Sequence, residues 1–162
     1  PSAMFLDTAG LGYEEEAEEG TGSHANPEEA RLVVKTLGTI LAAGVRPRDI
    51  AVISPYSAQV KLLTDLIVGD NRDPGEMGEL EIDSVDAFQG REKEVVLVSL
   101  VRSNPEGEIG FLADTRRMNV AMTRAKRKLI LVGDSATLCR LPFYDNLLKY
   151  TESVGGYRSA WE

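Results

Sequence analysis

Apolar residues recur at Ala30, Val33, Val34, Leu37, Ile40 and Leu41, at the three- and four-residue spacing of a helix with one buried stripe. Asn26, Pro27, Glu28 and Glu29 form a start signal for it: a capping side chain, a proline for the first turn, and acids near the positive end of the dipole. Gly44 ends it. A second helix is predicted from about Ser57 to Val68. Short β-branched runs occupy Ile50 to Ser54, Leu80 to Ser84, Glu94 to Val101 and Lys128 to Val132, with Met4 to Asp7 a weaker fifth. Apolar runs that alternate with helical segments are what a parallel sheet covered on both faces produces. The pattern therefore predicts an α/β fold of three layers around a mostly parallel sheet of about five strands. The stretches Gly10 to Ala25 and Gly69 to Gly78 are rich in Gly, Pro and acids and are predicted loops; the first is expected to be a solvated acidic loop, and residues 150–162 a C-terminal tail. No internal repeat is present.

Composition narrows the class. The chain has 162 residues, 43% of them apolar, enough core for one ordinary domain, so a single unit spanning 1–162 is expected. The longest apolar run, Val95 to Val101 with Ser99 inside it, falls well short of the roughly 18 residues that span a bilayer, and no signal-peptide pattern opens the chain. Cys139 has no second cysteine to pair with, and His24 has no partners at ligand spacing. A reducing, intracellular setting and no structural metal are expected.

The formal net charge of −8 argues at first against a nucleic-acid partner, because phosphate neutralisation needs clustered Lys and Arg. The distribution changes that picture. Eight of the 26 acids lie in residues 1–30, where there is no base, which leaves 18 acids against 18 bases in the rest. Arg116, Arg117, Arg124, Lys126, Arg127 and Lys128 then fall in one short stretch with no acid between them, a local cationic site on an acidic protein.

Ligands of open parallel sheets bind beyond the carboxyl ends of the strands. Pro55-Tyr56, Val85 to Glu92, and Arg102-Ser103-Asn104 follow three of the predicted strands, so all three are expected on one working edge. In the segment Ser84 to Glu92, Gly90 would let a backbone amide approach a phosphate and Glu92 could accept hydrogen bonds from a sugar hydroxyl; the alternative is a turn, with Glu92 paired to Arg91 or Lys93. The segment Arg116 to Ala125 reads as a helix with Arg117, Val120, Ala121 and Arg124 on one side. Arginine suits bidentate phosphate recognition and the charge of a transferring phosphoryl group; the alternative is a basic face paired with the acids at 14–19.

Taken together, these segments resemble a known family. Val85 to Glu92 resembles motif V of superfamily 1 helicases, and Arg116 to Ala125 resembles motif VI. Ser54-Pro55-Tyr56-Ser57-Ala58-Gln59 is similar to motif IV of the Upf-like, 5′ to 3′ branch, and Arg102-Ser103-Asn104 followed by Gly110-Phe111-Leu112 fits that branch in order and spacing. The resemblance runs from about Met4 to Leu148. It implies a RecA-like, P-loop NTPase-like lobe: the C-terminal motor lobe of an ATP-dependent 5′ to 3′ helicase or translocase on single-stranded DNA or RNA. It implies that Arg124 is the arginine finger, that Gly90 and Glu92 help hold ATP with Glu92 near the ribose, and that Gln89 orders the cleft. It also implies that Pro55, Tyr56, Ser84, Val85 and Arg102 lie along the strand. For Tyr56 a core aromatic and for Arg102 a structural ion pair stand as alternatives.

Such a motor also needs a G-x-x-x-x-G-K-[ST] phosphate loop and an acidic pair for magnesium. The sequence holds no Gly-Lys dipeptide and no Asp-Glu pair. ATP and Mg2+ are therefore expected to be bound mainly by a first RecA-like lobe of the same polypeptide, and this chain, as a piece of it, is expected to be inactive alone. Competing readings are a UvrD-like 3′ to 5′ helicase, whose motif V is usually a shorter Lys-containing loop, and a non-catalytic α/β interaction module, which would have no use for Arg124 or Glu92. A dinucleotide-binding oxidoreductase would need a G-x-G-x-x-G after its first strand, and none occurs.

Overall fold

The computed structural model describes residues 2–69, 79–88 and 92–161. Six strands form one sheet: β1 (Ala3–Asp7), β4 (Ile50–Ser54), β5 (Glu81–Ser84), β6 (Lys93–Ser99), β7 (Ala125–Gly133) and β8 (Tyr157–Ser159). Their order is β5-β4-β6-β7-β1-β8, and every pairing in it is parallel. Two short strands, β2 (Glu16–Ala17) and β3 (His24–Ala25), pair antiparallel as a separate hairpin.

The alternation of side chains along the strands divides the core in two. On one face Ile50, Val52, Val95, Leu97, Ile130 and Val132 meet helices α1 (Pro27–Ala42) and α2 (Ser57–Val68) through Ala30, Val33, Leu37, Leu63 and Ile67. On the other, Phe5, Ala51, Ile53, Val96, Val98 and Leu131 meet α3 (Thr115–Met122), the short α4 (Ser135–Leu138) and α5 (Pro142–Ser153) through Met118, Ala121, Leu138 and Tyr144. α1 begins as its sequence predicts, with the Asn26 side chain accepting from the Glu29 amide and Pro27 in the first turn, and the chain turns away at Gly44 with φ +98°.

Four expectations change. The acidic stretch 10–25 contains the β2–β3 hairpin and is tied to the sheet by Glu15, as described below. The tail 150–162 carries the last turn of α5 and then β8, which adds a sixth strand against β1. The tail is held there because Asp7 accepts from the Tyr157 hydroxyl (2.7 Å) and the Ser135 hydroxyl (2.6 Å). The helix of the 116–125 segment ends at Met122, so Arg124 sits in the turn that leads into β7 and not on the helical face with Arg117. Finally, the cationic stretch is divided between two elements, with Arg116 and Arg117 on α3 and Lys126, Arg127 and Lys128 on β7.

β8 lies so close to β1 that a Cβ on Gly156 would fall 1.8 Å from the Ala3 carbonyl oxygen, where the Phe5 amide donates to the Gly156 carbonyl. Gly156→Ala is expected to push β8 off the sheet and destabilise the fold by about 1–3 kcal/mol, the usual cost of overpacking. A urea denaturation midpoint unchanged from that of the parent chain would contradict this docking.

Candidate functional site

The strand directions split the predicted site between two edges. Residues 85 to 92 leave the carboxyl end of β5 and enter β6 at its amino end. β5 and β6 both run parallel to β4, one on each side of it. Ser84-Val85 and Glu92 therefore lie at opposite edges, which corrects the expectation of one shared edge. The segment starts at a hydrogen bond from the Val85 amide to the Ser54 carbonyl (3.0 Å). Val85 and Phe88 are buried with Met118, Ala121 and Met122 of α3, and the Arg117 guanidinium meets Asp86 at 2.8 Å.

At the amino edge, the Lys93 amide donates to the Arg124 carbonyl (3.0 Å), which puts Glu92 and Arg124 next to each other across the first rung of β6 and β7. Glu92 is exposed and Arg124 is half-buried. The Arg124 Nε is fully shielded and finds no hydrogen-bond partner among the described residues. Nearby cations are engaged: Arg127 pairs with Glu94 at 2.8 Å, and Lys93 lies 3.7 Å from Glu81 and donates to the Arg48 carbonyl. Gln89 and Gly90, assigned to the nucleotide by resemblance, lie outside the described residues.

The carboxyl edge is built around a closed cluster. Tyr56 is 1% and Arg102 5% exposed. The Arg102 Nη1 donates to the Tyr56 hydroxyl (3.0 Å), which donates in turn to the Ile109 carbonyl (3.1 Å). The Glu15 carboxylate accepts from Arg102 Nε (2.9 and 3.1 Å), the Ser103 amide (2.9 Å) and the Asn104 side chain (2.7 Å), with His24 Nε2 at 3.4 Å. Burial alone would push the Glu15 carboxyl up, but the hydrogen bonds from Arg102, Asn104 and Ser103 hold it below the usual carboxylate range. Gly110 is required here, because a Cβ at its φ of +52° would stand 2.5 Å from Arg102 Nη1 and 2.8 Å from the Tyr56 hydroxyl. Thus Tyr56 is a core aromatic and Arg102 belongs to an ion pair, while Pro55 and Ser84 are half-buried and Val85 is buried. Phe111 packs on Tyr56 with ring centres 5.4 Å apart and remains exposed.

Beneath this cluster lies a polar network that motif reading did not single out. Glu29 Oε2 accepts from the Ser99 hydroxyl (2.8 Å) and the Val101 amide (2.7 Å). Gln59 donates to Ser99 Oγ (3.0 Å) and to the Asn26 carbonyl (3.2 Å), and accepts from the Asn26 amide (2.8 Å). The Asn26 side chain donates to the carbonyls of Val101 (3.0 Å) and Tyr13 (2.8 Å). Burial drives the Glu29 carboxyl up to about 8 against the lowering effect of its Ser99 and Val101 hydrogen bonds. Among the described residues no group of three or more His, Cys, Asp or Glu side chains is placed to hold a metal ion. No described helix is long and apolar enough to cross a membrane.

A wholly parallel sheet between two helical layers is the architecture of a RecA-like, P-loop NTPase-like lobe. The family described as "AAA domain" matches residues 1–136. The "DNA-binding protein SMUBP-2" of Mus musculus is 48% identical over 159 residues, covering 98% of this chain and 15% of that protein. The human "DNA replication ATP-dependent helicase/nuclease DNA2" is 42% identical over 92% of this chain and 13% of its own length. The "Regulator of nonsense transcripts 1 homolog" of Neurospora crassa is 42% identical over 91% of this chain and 14% of its own. The chain belongs to the Upf-like superfamily 1 helicases, as a second RecA-like lobe. It spans about one-seventh of the length of these relatives.

A carboxyl with a raised folded value holds its proton more tightly in the folded chain. The stability that Glu29 contributes is then complete below about 4.5, the ordinary value, and is lost as pH rises through about 8. Urea midpoints of the chain are expected to fall from about pH 5 to about pH 8.5, and Glu29→Gln, which cannot ionise, to flatten that decline. An equal decline in the Gln variant would assign it to other groups. Glu15 acts in the opposite sense and only in acid, since its contribution is lost as pH falls through its lowered value.

Proposed function

We propose that this chain is the C-terminal motor lobe of an ATP-dependent helicase or translocase that moves 5′ to 3′ on single-stranded DNA or RNA. The observation that carries the reading is the Arg124 Nε: a shielded guanidinium nitrogen without a partner among the described residues, on a turn beside Glu92. Buried donors are nearly always paired, and a guanidinium whose Nε finds no acceptor among the described residues is free to turn toward a phosphate oxygen supplied from across a cleft. In this reading Arg124 is the arginine finger, which stabilises charge on the transferring phosphoryl group, and Glu92 lies near the ribose. By resemblance, Gly90 would help hold the nucleotide and Gln89 would order the cleft. A first RecA-like lobe of the same polypeptide supplies the phosphate loop and the magnesium ligands.

The strand lies along the carboxyl edge. Pro55 and Ser84 face it, and Phe111 offers an exposed ring of the kind on which bases stack. Tyr56, Val85 and Arg102 act from beneath, by fixing the backbone that the strand touches. Closing and reopening of the cleft with each ATP turnover then alternates the two lobes' grip on the strand.

An arginine finger is worth about 10³–10⁵ in rate. Arg124→Ala in the full-length protein is expected to lower ATP turnover at least about a hundredfold while single-strand affinity survives. Turnover near normal would remove the assignment. The chain alone is expected to hydrolyse no ATP and to bind it more weakly than micromolar, and a calorimetric titration giving micromolar affinity would contradict the shared site.

A further inference from the structure

Val101 is the one non-glycine residue with positive φ among the described residues, at +70°. It is β-branched and fully buried, and the Arg102 amide donates to the Leu100 carbonyl at 2.8 Å, which closes a three-residue γ-turn around it. This left-handed form of the turn is rare and strained. Strain of this kind persists only where the surroundings over-determine it, and it concentrates at ligand clamps and active sites. Here the surroundings are two residues at the start of α1: Glu29 takes the Val101 amide, and Asn26 donates to its carbonyl. Both polar groups of the turn residue are thus claimed in the buried interior by side chains from a distant part of the chain.

We propose that Glu29 and Asn26 are positioning residues for the nucleic-acid grip: by clamping Val101 in its left-handed turn they fix the direction in which Arg102, Ser103 and Asn104 leave β6. The inference rests on the reading of the carboxyl edge as the strand-binding edge. Neither side chain reaches solvent, so neither touches a strand; each acts through Arg102, whose guanidinium meets Glu15 and Tyr56 only from this turn. Gln59 extends the clamp. It holds both the amide and the carbonyl of Asn26 and also Ser99, and it sits in the first turn of α2, directly after Pro55 and Tyr56. The two segments that line the edge, 54–59 and 101–104, are therefore registered to one another through four buried side chains. A side chain at position 29 without an acceptor would leave the Val101 amide buried and unpaired. The backbone would relax toward the extended region, and Arg102 would rotate away from Glu15 and Tyr56.

The test uses the full-length protein, a fluorescein-labelled oligo-dT followed by anisotropy, and a fluorescent ATP analogue titrated separately. Glu29→Met is expected to weaken oligonucleotide affinity about tenfold or more, the scale of a lost buried hydrogen bond to a carboxyl, while nucleotide affinity changes less than about twofold. Glu29→Gln keeps an oxygen for the Val101 amide and should stay within about threefold of the parent. Asn26→Ser keeps a helix-capping oxygen but lacks the amide donor to Val101, and should lose about threefold or more; it decides the matter if Glu29→Met does not fold. A folded Glu29→Met or Asn26→Ser protein that binds the oligonucleotide as tightly as the parent overturns the inference. So does a parallel loss of oligonucleotide and nucleotide affinity, or a Gln variant no better than Met. If the unaltered full-length protein fails to bind the oligonucleotide, the reading of the edge falls first and this inference falls with it.

Discussion

The ladder between β6 and β7 is the contact on which both halves of the site depend. Its first rung, Lys93 against Ala125, sets Glu92 beside Arg124. Its last hydrogen bonds, from Ser99 paired with Val132 and from the Leu100 amide to the Val132 carbonyl, fix the point at which the chain turns at Val101 toward Arg102. Six residues at about 3.3 Å each separate the two ends by about 20 Å. A pair of strands, buried toward its carboxyl end, thus joins the edge that holds Arg124 to the edge that holds Arg102. Changes that shift the register by one residue would reverse which faces are apolar and would separate Arg124 from Glu92 at the same time.

The charges of the carboxyl edge follow from burial. Arg102 and Glu15 are nearly sealed from water, and an ion pair in that setting survives only when its remaining hydrogen-bonding capacity is used. Glu15 meets this condition with Arg102, Ser103 and Asn104, and Arg102 with Tyr56. Removing one partner would strand a buried charge, at a typical cost of about 3–5 kcal/mol. The acidic hairpin is for this reason part of the edge and not a solvated loop, although most of its other acids are exposed. Glu29 solves the same problem differently. With no cation beside it and its carboxyl value raised to about 8, it is largely neutral at pH 7 and so serves as a hydrogen-bonding group without carrying a charge into the core.

Much of this was legible in the residues. α1 follows from its apolar spacing and start signal, and β4 and β6 from their β-branched runs, because in those segments local preference and tertiary burial agree. The sixth strand was not legible: Tyr157–Ser159 has only three residues and no apolar run, and it is held by Asp7 and by the close approach of Gly156, which are long-range facts. The division of the site between two edges escaped because the order of strands in the sheet is not written in any one strand; only when β5 and β6 are both set parallel to β4, on either side of it, do Ser84 and Glu92 fall at opposite edges. Glu29 carried a readable signal. It stands four residues before Val33 and eight before Leu37, on the stripe that α1 buries, and an acid on an apolar stripe calls for a partner. Glu15 offered no comparable sign, since among eight acids nothing in the sequence marks the one that meets Arg102.

A consequence for the proposed motor follows from where Val85 to Phe88 lie. They leave the carboxyl edge after Ser84 and pack against α3, whose end leads into the turn that holds Arg124. Phe88 is buried with Met118 and Met122, and Asp86 is paired with Arg117. Close-packed interiors do not deform continuously. In the proposed motor, a displacement of Arg124 by phosphate would therefore either be absorbed in the turn after Met122 or be carried through α3 to Phe88 and Val85, whose amide is held by the Ser54 carbonyl at the other edge. The turn is short, with the Thr123 and Arg124 amides bonded back to α3 and the Arg124 carbonyl bonded to Lys93, which leaves little slack at that end. The half-exposed ion pair between Arg117 and Asp86 contributes little to stability by itself, but it joins the two segments at the strand-facing end, opposite the Lys93–Arg124 bond. α3 is thus tied to Val85–Phe88 at one end and, through the Arg124 carbonyl, to Lys93 at the other, so in the proposed motor a movement of Arg124 would reach the carboxyl edge through α3.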